Sequence, residues 1–156
     1  MDCPEQTSGR TIIGWREWAC FPELNIPAIK FKADTGARTS SLHSFSQDFF
    51  EKEGRQWVRF GIHPVQKRDN VELYCEAPVV DFREITNSGG QTETRPVISS
   101  RIMLGNMEWD IELTLTNRDS MKFRMLLGRT AMEERIIVDP ARSYVLGRKL
   151  AAFYYK

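Results

Sequence analysis

Apolar and polar residues alternate along much of the chain. Trp109, Ile111, Leu113 and Leu115 are interleaved with Asp110, Glu112 and Thr114, the period of a strand with one wet face. Met121, Phe123 and Met125 alternate with Lys122 and Arg124 and run into Leu126-Leu127. Ile29, Phe31 and Ala33 alternate with Lys30 and Lys32 and end at Asp34. Weaker runs predict strands at 57–62, 71–74, 79–85, 97–104, 136–138 and 144–146. Turn-forming sequences separate them: Glu53-Gly54, Arg68-Asp69-Asn70, Asn87-Ser88-Gly89-Gly90, Gly105-Asn106, Asn117-Arg118-Asp119 and Asp139-Pro140. Many short strands with frequent turns predict an all-β barrel or sandwich. Thr130-Ala131-Met132-Glu133 has the order of a capping box and predicts one short helix. A second short helix is expected over 47–53.

Composition narrows the class. A chain of 156 residues fits one domain at roughly 100–200 residues per domain. The domain is expected over 11–156, behind a frayed terminus at 1–10. Hydrophobic residues at 41% and charged residues at 28% are ordinary globular values and exclude wholesale disorder. A net charge of +1 sets up no global field for nucleic acid or membrane, so neither is expected as a partner. No apolar run is long enough for a transmembrane helix, and the first ten residues lack the order of a signal peptide. Three widely spaced cysteines, Cys3, Cys20 and Cys75, suit a reducing compartment, so a cytoplasmic location is expected.

The segment richest in chemistry is Ile29-Lys30-Phe31-Lys32-Ala33-Asp34-Thr35-Gly36-Ala37. A strand ends in a carboxylate, followed by a small hydroxyl residue and a glycine. Gly36 would let the backbone turn sharply and come close to a substrate or another chain, and Thr35 could hold the turn. Asp34 would project from a rigid strand end. Two carboxylates sharing one proton can hydrolyse an amide, one activating water and the other polarising the carbonyl. This chain has a single Asp-Thr-Gly, so the second carboxylate would come from a twofold-related copy, which makes a homodimer the expectation. Asp81, Asp110 or Asp119 could instead complete the pair within one chain. The tripeptide by itself fits an ordinary turn after a strand equally well.

A second segment, Met125-Leu126-Leu127-Gly128-Arg129, stands far downstream, with the expected helix after it. Together the two segments resemble a retropepsin-like aspartic peptidase, a closed β-barrel with one short C-terminal helix. In that fold the second segment threads beside the catalytic turn and buttresses it. Ile26-Pro27-Ala28-Ile29-Lys30, Asp34 through His43, Arg95-Pro96-Val97-Ile98, Leu115-Thr116-Asn117-Arg118 and Val138-Asp139-Pro140 sharpen the match. Over about 11–148 the chain resembles the bacterial family that goes under the label of ATP-dependent zinc protease. Members of that family are partners of ATP-grasp ligases that add glutamates to ribosomal protein S6. The resemblance implies a peptidase that processes C-terminal glutamate tails, with an ATP-grasp ligase as partner. It carries Asp34, Thr35 and Gly36 over as the catalytic turn, and Leu127, Gly128 and Arg129 as its buttress.

The residues support neither half of that label. The two histidines, His43 and His63, form no metal-binding motif, although a site of His43, His63 and Cys75 is an alternative to test. No phosphate-cradling loop is present, so ATP belongs to the partner ligase. No metal and no other cofactor is expected. Viral retropepsins carry an acid just after Asp-Thr-Gly-Ala, paired with the downstream arginine; here that place holds Arg38. Two cations, Arg38 and Arg129, would then stand near the catalytic turn, compensated by another acid of this chain or by an acidic substrate. Guanidinium forks suit carboxylates, so Arg38 and Arg129, with Arg95 and Arg118, are candidate substrate-binding residues; Ala37, next to the turn, is a further one. The stretch 86–92 is the candidate flap, with Gly89 and Gly90 at its tip and Gln91 and Thr92 as hydrogen-bonding groups. Trp15, Trp18, Trp57 and Trp109 are core or interface residues, and Tyr154-Tyr155 an intersubunit strand or a tail. Two alternatives to a peptidase remain: a non-catalytic acidic-peptide module or ligase adaptor, and a zinc hydrolase.

Overall fold

The computed structural model describes residues 9–65, 70–86, 89–117, 123–148 and 155. The expected strand start at Met121-Lys122, the turns at Arg68-Asp69 and Asn87-Ser88, most of the frayed terminus, and Arg118, Asp119 and Tyr154 lie outside them. The described residues form β1 (Thr11–Gly14), β2 (Arg16–Phe21), β3 (Ile26–Asp34), β4 (Ser40–His43), β5 (Ser46–Lys52), β6 (Arg55–Ile62), β7 (Leu73–Thr86), β8 (Thr92–Leu104), β9 (Met107–Thr116), β10 (Met125–Gly128) and β11 (Ile136–Asp139), with one helix, α1 (Arg129–Met132). The all-β expectation holds.

Nine strands make one sheet in the order β2-β3-β10-β4-β9-β8-β7-β6-β5, and β1 pairs with β11 apart from it. The sheet curls until Cys20 of β2 meets Met103 of β8. β8 gives its first half to β7 and its second half to β9, so β5, β6 and β7 extend the sheet beyond the ring as a wing, with Val58, Phe60 and Ile62 of β6 still in the common core. The core fills the ring: Phe21, Phe31, Phe60, Ile98, Ile102, Leu113 and Leu127 are fully buried. Burial alternates over 98–104 of β8 and 108–113 of β9, whereas 95–98 and 113–116 are buried on both faces.

Four expectations are corrected. Residues 47–52 lie in strand β5 and Glu53 in the turn after it, not in a helix; β5 pairs with β6 along its whole length, around a Glu53-Gly54 turn with φ of 55° and 75°. Positive φ at both central residues matches the twist of a tight hairpin. The runs at 71–74 and 79–85 join into the single strand β7, which a register shift between Val79 and Asp81 lets bend. Residues 144–146 form a turn: Tyr144 has φ of 55°, and the next two amides point at a carboxylate. The expected helix forms, but not through its capping box. Its N-cap is Gly128, with no side-chain bond, and the Thr130 hydroxyl donates to Arg38 O (2.8 Å).

That carboxylate is Glu17, fully buried in β2. It accepts N–H bonds from Gly14 (2.7 Å), Val145 (2.8 Å) and Leu146 (3.2 Å). A charged acceptor bonded to three amides ties the start of the fold to its end. Glu17→Gln keeps the shape but brings an NH₂ against donors. Glu17→Gln is expected to cost about 2 kcal/mol and lower Tm by roughly 4–8 °C in a thermal melt. An unchanged Tm would show that the amides find other partners.

Candidate active site

β3 delivers Asp34 to the edge of the ring. Phe31 is buried and Ala33 packs against the core, so alternation turns Lys32 and Asp34 to the other face. The turn after Asp34 is held locally: Gly36 N–H donates to Asp34 Oδ1 (3.2 Å) and Ala37 N–H to Asp34 O (3.2 Å).

β10 then locks the turn from behind. It runs parallel to β3, with Gly128 beside Asp34 and Leu127 beside Ala33, and antiparallel to β4. Gly128 N–H donates to Ser40 Oγ (3.0 Å), Arg129 N–H to Ala37 O (2.7 Å), and Thr130 N–H to Arg38 O (3.1 Å). The Arg129 guanidinium donates to Thr35 O (3.3 Å). A Cβ on Gly128 would stand 2.5 Å from Thr39 C and 2.8 Å from Ser40 N, so only glycine lets the strands approach this closely. Gly36 differs: a Cβ there would meet only Asp34 Oδ1, at 3.5 Å. This chain's own backbone does not demand a glycine at that position.

Asp34, Gly36, Ala37 and Arg38 face an open cleft of about 1020 Å³, walled on the far side by Arg83 to Thr86 of β7 and Arg95 of β8. The β7–β8 hairpin stays paired up to Thr86 opposite Thr92, so the expected flap strands are present. Gly89 and Gly90 are exposed and do not line the cleft. The Thr92 hydroxyl is engaged by Thr86 Oγ1 (3.1 Å) within the hairpin.

The arginines divide. Arg38 lines the cleft and is exposed. Arg95 lines it while buried, its Nε held by Glu93 (3.2 Å). Arg129 does not line it; one Nη donates to the carbonyl of Thr35. Arg83 also lines the cleft, and sequence reasoning missed it. It bridges Glu112 (2.8 Å) and Asp81 (3.0 Å), whose hydrogen bonds, Glu112's first, hold its pKa above the ordinary arginine value. The one local signal was Asp81, two residues before it; Glu112 comes from β9, across β8.

The alternative acids Asp81 and Asp110 do not line the cleft. Asp81 holds Arg83, and Asp110 stands 3.8 Å from Arg101. Among the described residues no three of His, Cys, Asp and Glu stand together to hold a metal. His43 is buried in β4, His63 stacks on Phe45 at 4.3 Å, and burial pushes the Cys75 thiol up to about 12. Trp109 is a core residue whose indole N–H donates to Ala131 O (3.1 Å) and anchors α1.

A family model described as "Retropepsin-like aspartic endopeptidase RimB" matches residues 12–149. A protein of Shewanella pealeana named "Probable alpha-L-glutamate ligase" is 51% identical over 143 residues, 92% of this chain and 31% of that protein. A protein of the same name from Desulfotalea psychrophila is 50% identical over 142 residues, 91% of this chain and 31% of that protein. This chain thus spans about a third of the length of the curated relatives it matches. The crystal structure of Lpg0085 from Legionella pneumophila, a protein of unknown function, superposes with a TM-score of 0.73 at 29% identity, covering 87% of this chain and 98% of that one. With its Asp-Thr-Gly turn braced by Gly128 at the floor of a cleft, the chain belongs to the RimB-like family of retropepsin-like aspartic endopeptidases.

Proposed function

We propose that this chain is an aspartic peptidase that shortens C-terminal glutamate tails, such as those ATP-grasp ligases add to ribosomal protein S6. The observation that carries the reading is a braced Asp34 in a cleft bordered by Arg38, Arg83 and Arg95, where Glu112 is bound to Arg83 and Glu84 is the other lining glutamate. The names of the relatives support the substrate class. A stretch 51% identical to this chain lies within a longer protein named for glutamate ligation, where a hydrolase would act on the ligase's own product.

The working unit is a homodimer in which two Asp34 carboxyls share one proton. The ionised carboxyl takes a proton from water, whose oxygen attacks the carbonyl carbon. The protonated one donates to the carbonyl oxygen, giving a gem-diol. Collapse breaks the C–N bond as a proton passes to the leaving nitrogen, releasing a carboxyl and an amine. Gly36, free of any demand from its own chain, leaves room for the partner's turn to approach.

Arg38 lies in no ion pair of the described residues, so its fork is available to a substrate carboxylate. Arg38→Glu is expected to raise KM for a protein bearing an oligoglutamate tail by about 10–100-fold, the worth of one charge-assisted bond turned repulsive. Mass spectrometry of the tailed protein over a substrate series measures it. Unchanged cleavage would remove Arg38 from recognition. The ligase names also favour a second reading, in which a monomer holds an acidic tail for a ligase without cutting it. Tail binding without shortening by the wild type would establish it.

A further inference from the structure

The row of side chains beside Asp34 leads out of the cleft onto a strongly basic face. Ser41 and Leu126 line the cleft. Ser41 is the register partner of Leu126, Leu126 of Lys32, and Lys32 of Arg16. Register partners share a face of the sheet, with strands about 4.8 Å apart, so the floor continues laterally into Lys32 and then Arg16. Along β3, Lys32 stands two residues, about 7 Å, before Asp34, and Lys30 two residues further.

Beyond Lys32 and Arg16 the cations gather on aromatic rings. The Arg16 guanidinium lies 4.7 Å from the Trp15 ring centre and 4.9 Å from that of Tyr144. Arg148 lies 4.6 Å from the Tyr144 ring, and the Lys30 ammonium 5.5 Å from Trp18 and 5.8 Å from Tyr144. Two guanidinium groups on one ring, those of Arg16 and Arg148 on Tyr144, and like charges directly opposite each other at Arg16 and Lys32, oppose folding. The ion pairs of the described residues engage Arg83, Arg95 and Arg101, and none involves Arg16, Lys32 or Arg148. A guanidinium stacked on a ring uses its flat face and keeps its N–H edge for an anion; here Arg16 gives Nε to Ser143 Oγ (3.2 Å) and retains the outer pair.

We propose that the Arg16, Lys30 and Lys32 end of the outer face of β2 and β3, with Tyr144 and Arg148, is an extended binding track for an acidic polypeptide segment, continuous with the cleft; the other end of that face, at Ala28, is covered by Tyr155. It deepens the reading of the cleft by assigning where a long glutamate tail lies beyond the reacting bond. Carboxylates spaced along an extended chain fit a line of cations stepping across strands. The rings serve as rigid supports for those cations, and their stacked faces are already covered, which disfavours the base stacking that single-stranded nucleic acid requires.

The test uses the full chain carrying Asp34→Asn, so that ligands bind without being cut, and labelled glutamate peptides of two and ten residues. Fluorescence anisotropy should show tighter binding of the ten-residue peptide, weakened about tenfold by Arg148→Gln and by Lys32→Glu, with the two-residue peptide unaffected by Arg148→Gln. Lys32→Glu replaces a repulsive cross-strand pair by an attractive one and keeps the fold. Equal affinity for both lengths, indifference to both substitutions, or capture of oligouridylate in place of the peptide would overturn the track. Length-dependent, Lys32-dependent binding in a protein whose wild type cuts no tail would sink the peptidase reading and leave the track standing.

Discussion

Asp34→Asn is expected to lower the rate of tail shortening by a factor on the order of 10³–10⁴, the upper part of what a positioned acid or base contributes, with an unchanged melting temperature. The fold survives because Asn keeps the Oδ1 that accepts the Gly36 amide (3.2 Å), while the turn's remaining bonds are made by backbone and by Arg129. What is lost is the group that takes the proton from water. Mass spectrometry of a tailed protein, under single turnover, reads the rate directly. Mixing wild type with Asp34→Asn then tests the two-chain site. If each dimer needs two Asp34 carboxyls, activity falls as the square of the wild-type fraction once subunits have exchanged. A linear fall would mean that each chain works alone. Equal shortening by wild type and variant would reduce Asp34 to a turn residue.

Gly128→Ala should be among the most damaging small substitutions in the described residues, and the one that reaches the Asp34 turn directly. The added methyl would sit 2.5 Å from Thr39 C, 2.6 Å from Thr39 O and 2.8 Å from Ser40 N. All three are backbone atoms of the segment that leads into β4, and none can rotate away as a side chain would. Relief requires β10 to move from β3 and β4 together, breaking the Gly128–Ser40 bond and the Arg129–Ala37 bond. Overpacking commonly costs 1–3 kcal/mol and more where nothing yields, so a loss of at least about 3 kcal/mol and a Tm drop of roughly 6–12 °C are expected. Because those bonds also carry the Asp34 turn, activity below the melting point should fall with stability. A variant with wild-type Tm would show that β10 can shift freely, and that the turn does not depend on it.

The same two segments were the legible part of the sequence. Asp34-Thr35-Gly36 and Leu127-Gly128-Arg129 are contiguous motifs, and a turn or a glycine contact is specified within a few residues. The long half-buried strands β8 and β9 were equally plain, since alternation over many residues averages out exceptions. β4 was invisible because Ser40, Ser41 and His43 are polar yet buried, between β9 and β10. Their burial depends on strands far away in the chain. β5 was misread because its alternation is weak and its state rests on β6. The flap strands could be named in advance, whereas the cleft role of Arg83 could not, because the hairpin must first fold across Asp34. Glu17 carried no signal in the sequence, because its role exists only where two ends of the chain meet on its oxygens. The sequence alone determined the all-β class, the carboxylate turn and its glycine brace, because each is a local preference of backbone or period. Only the tertiary structure decided which arginines share the cleft, where the sheet opens into a wing, and which buried polar groups hold it, because those are meetings between residues that no local preference encodes.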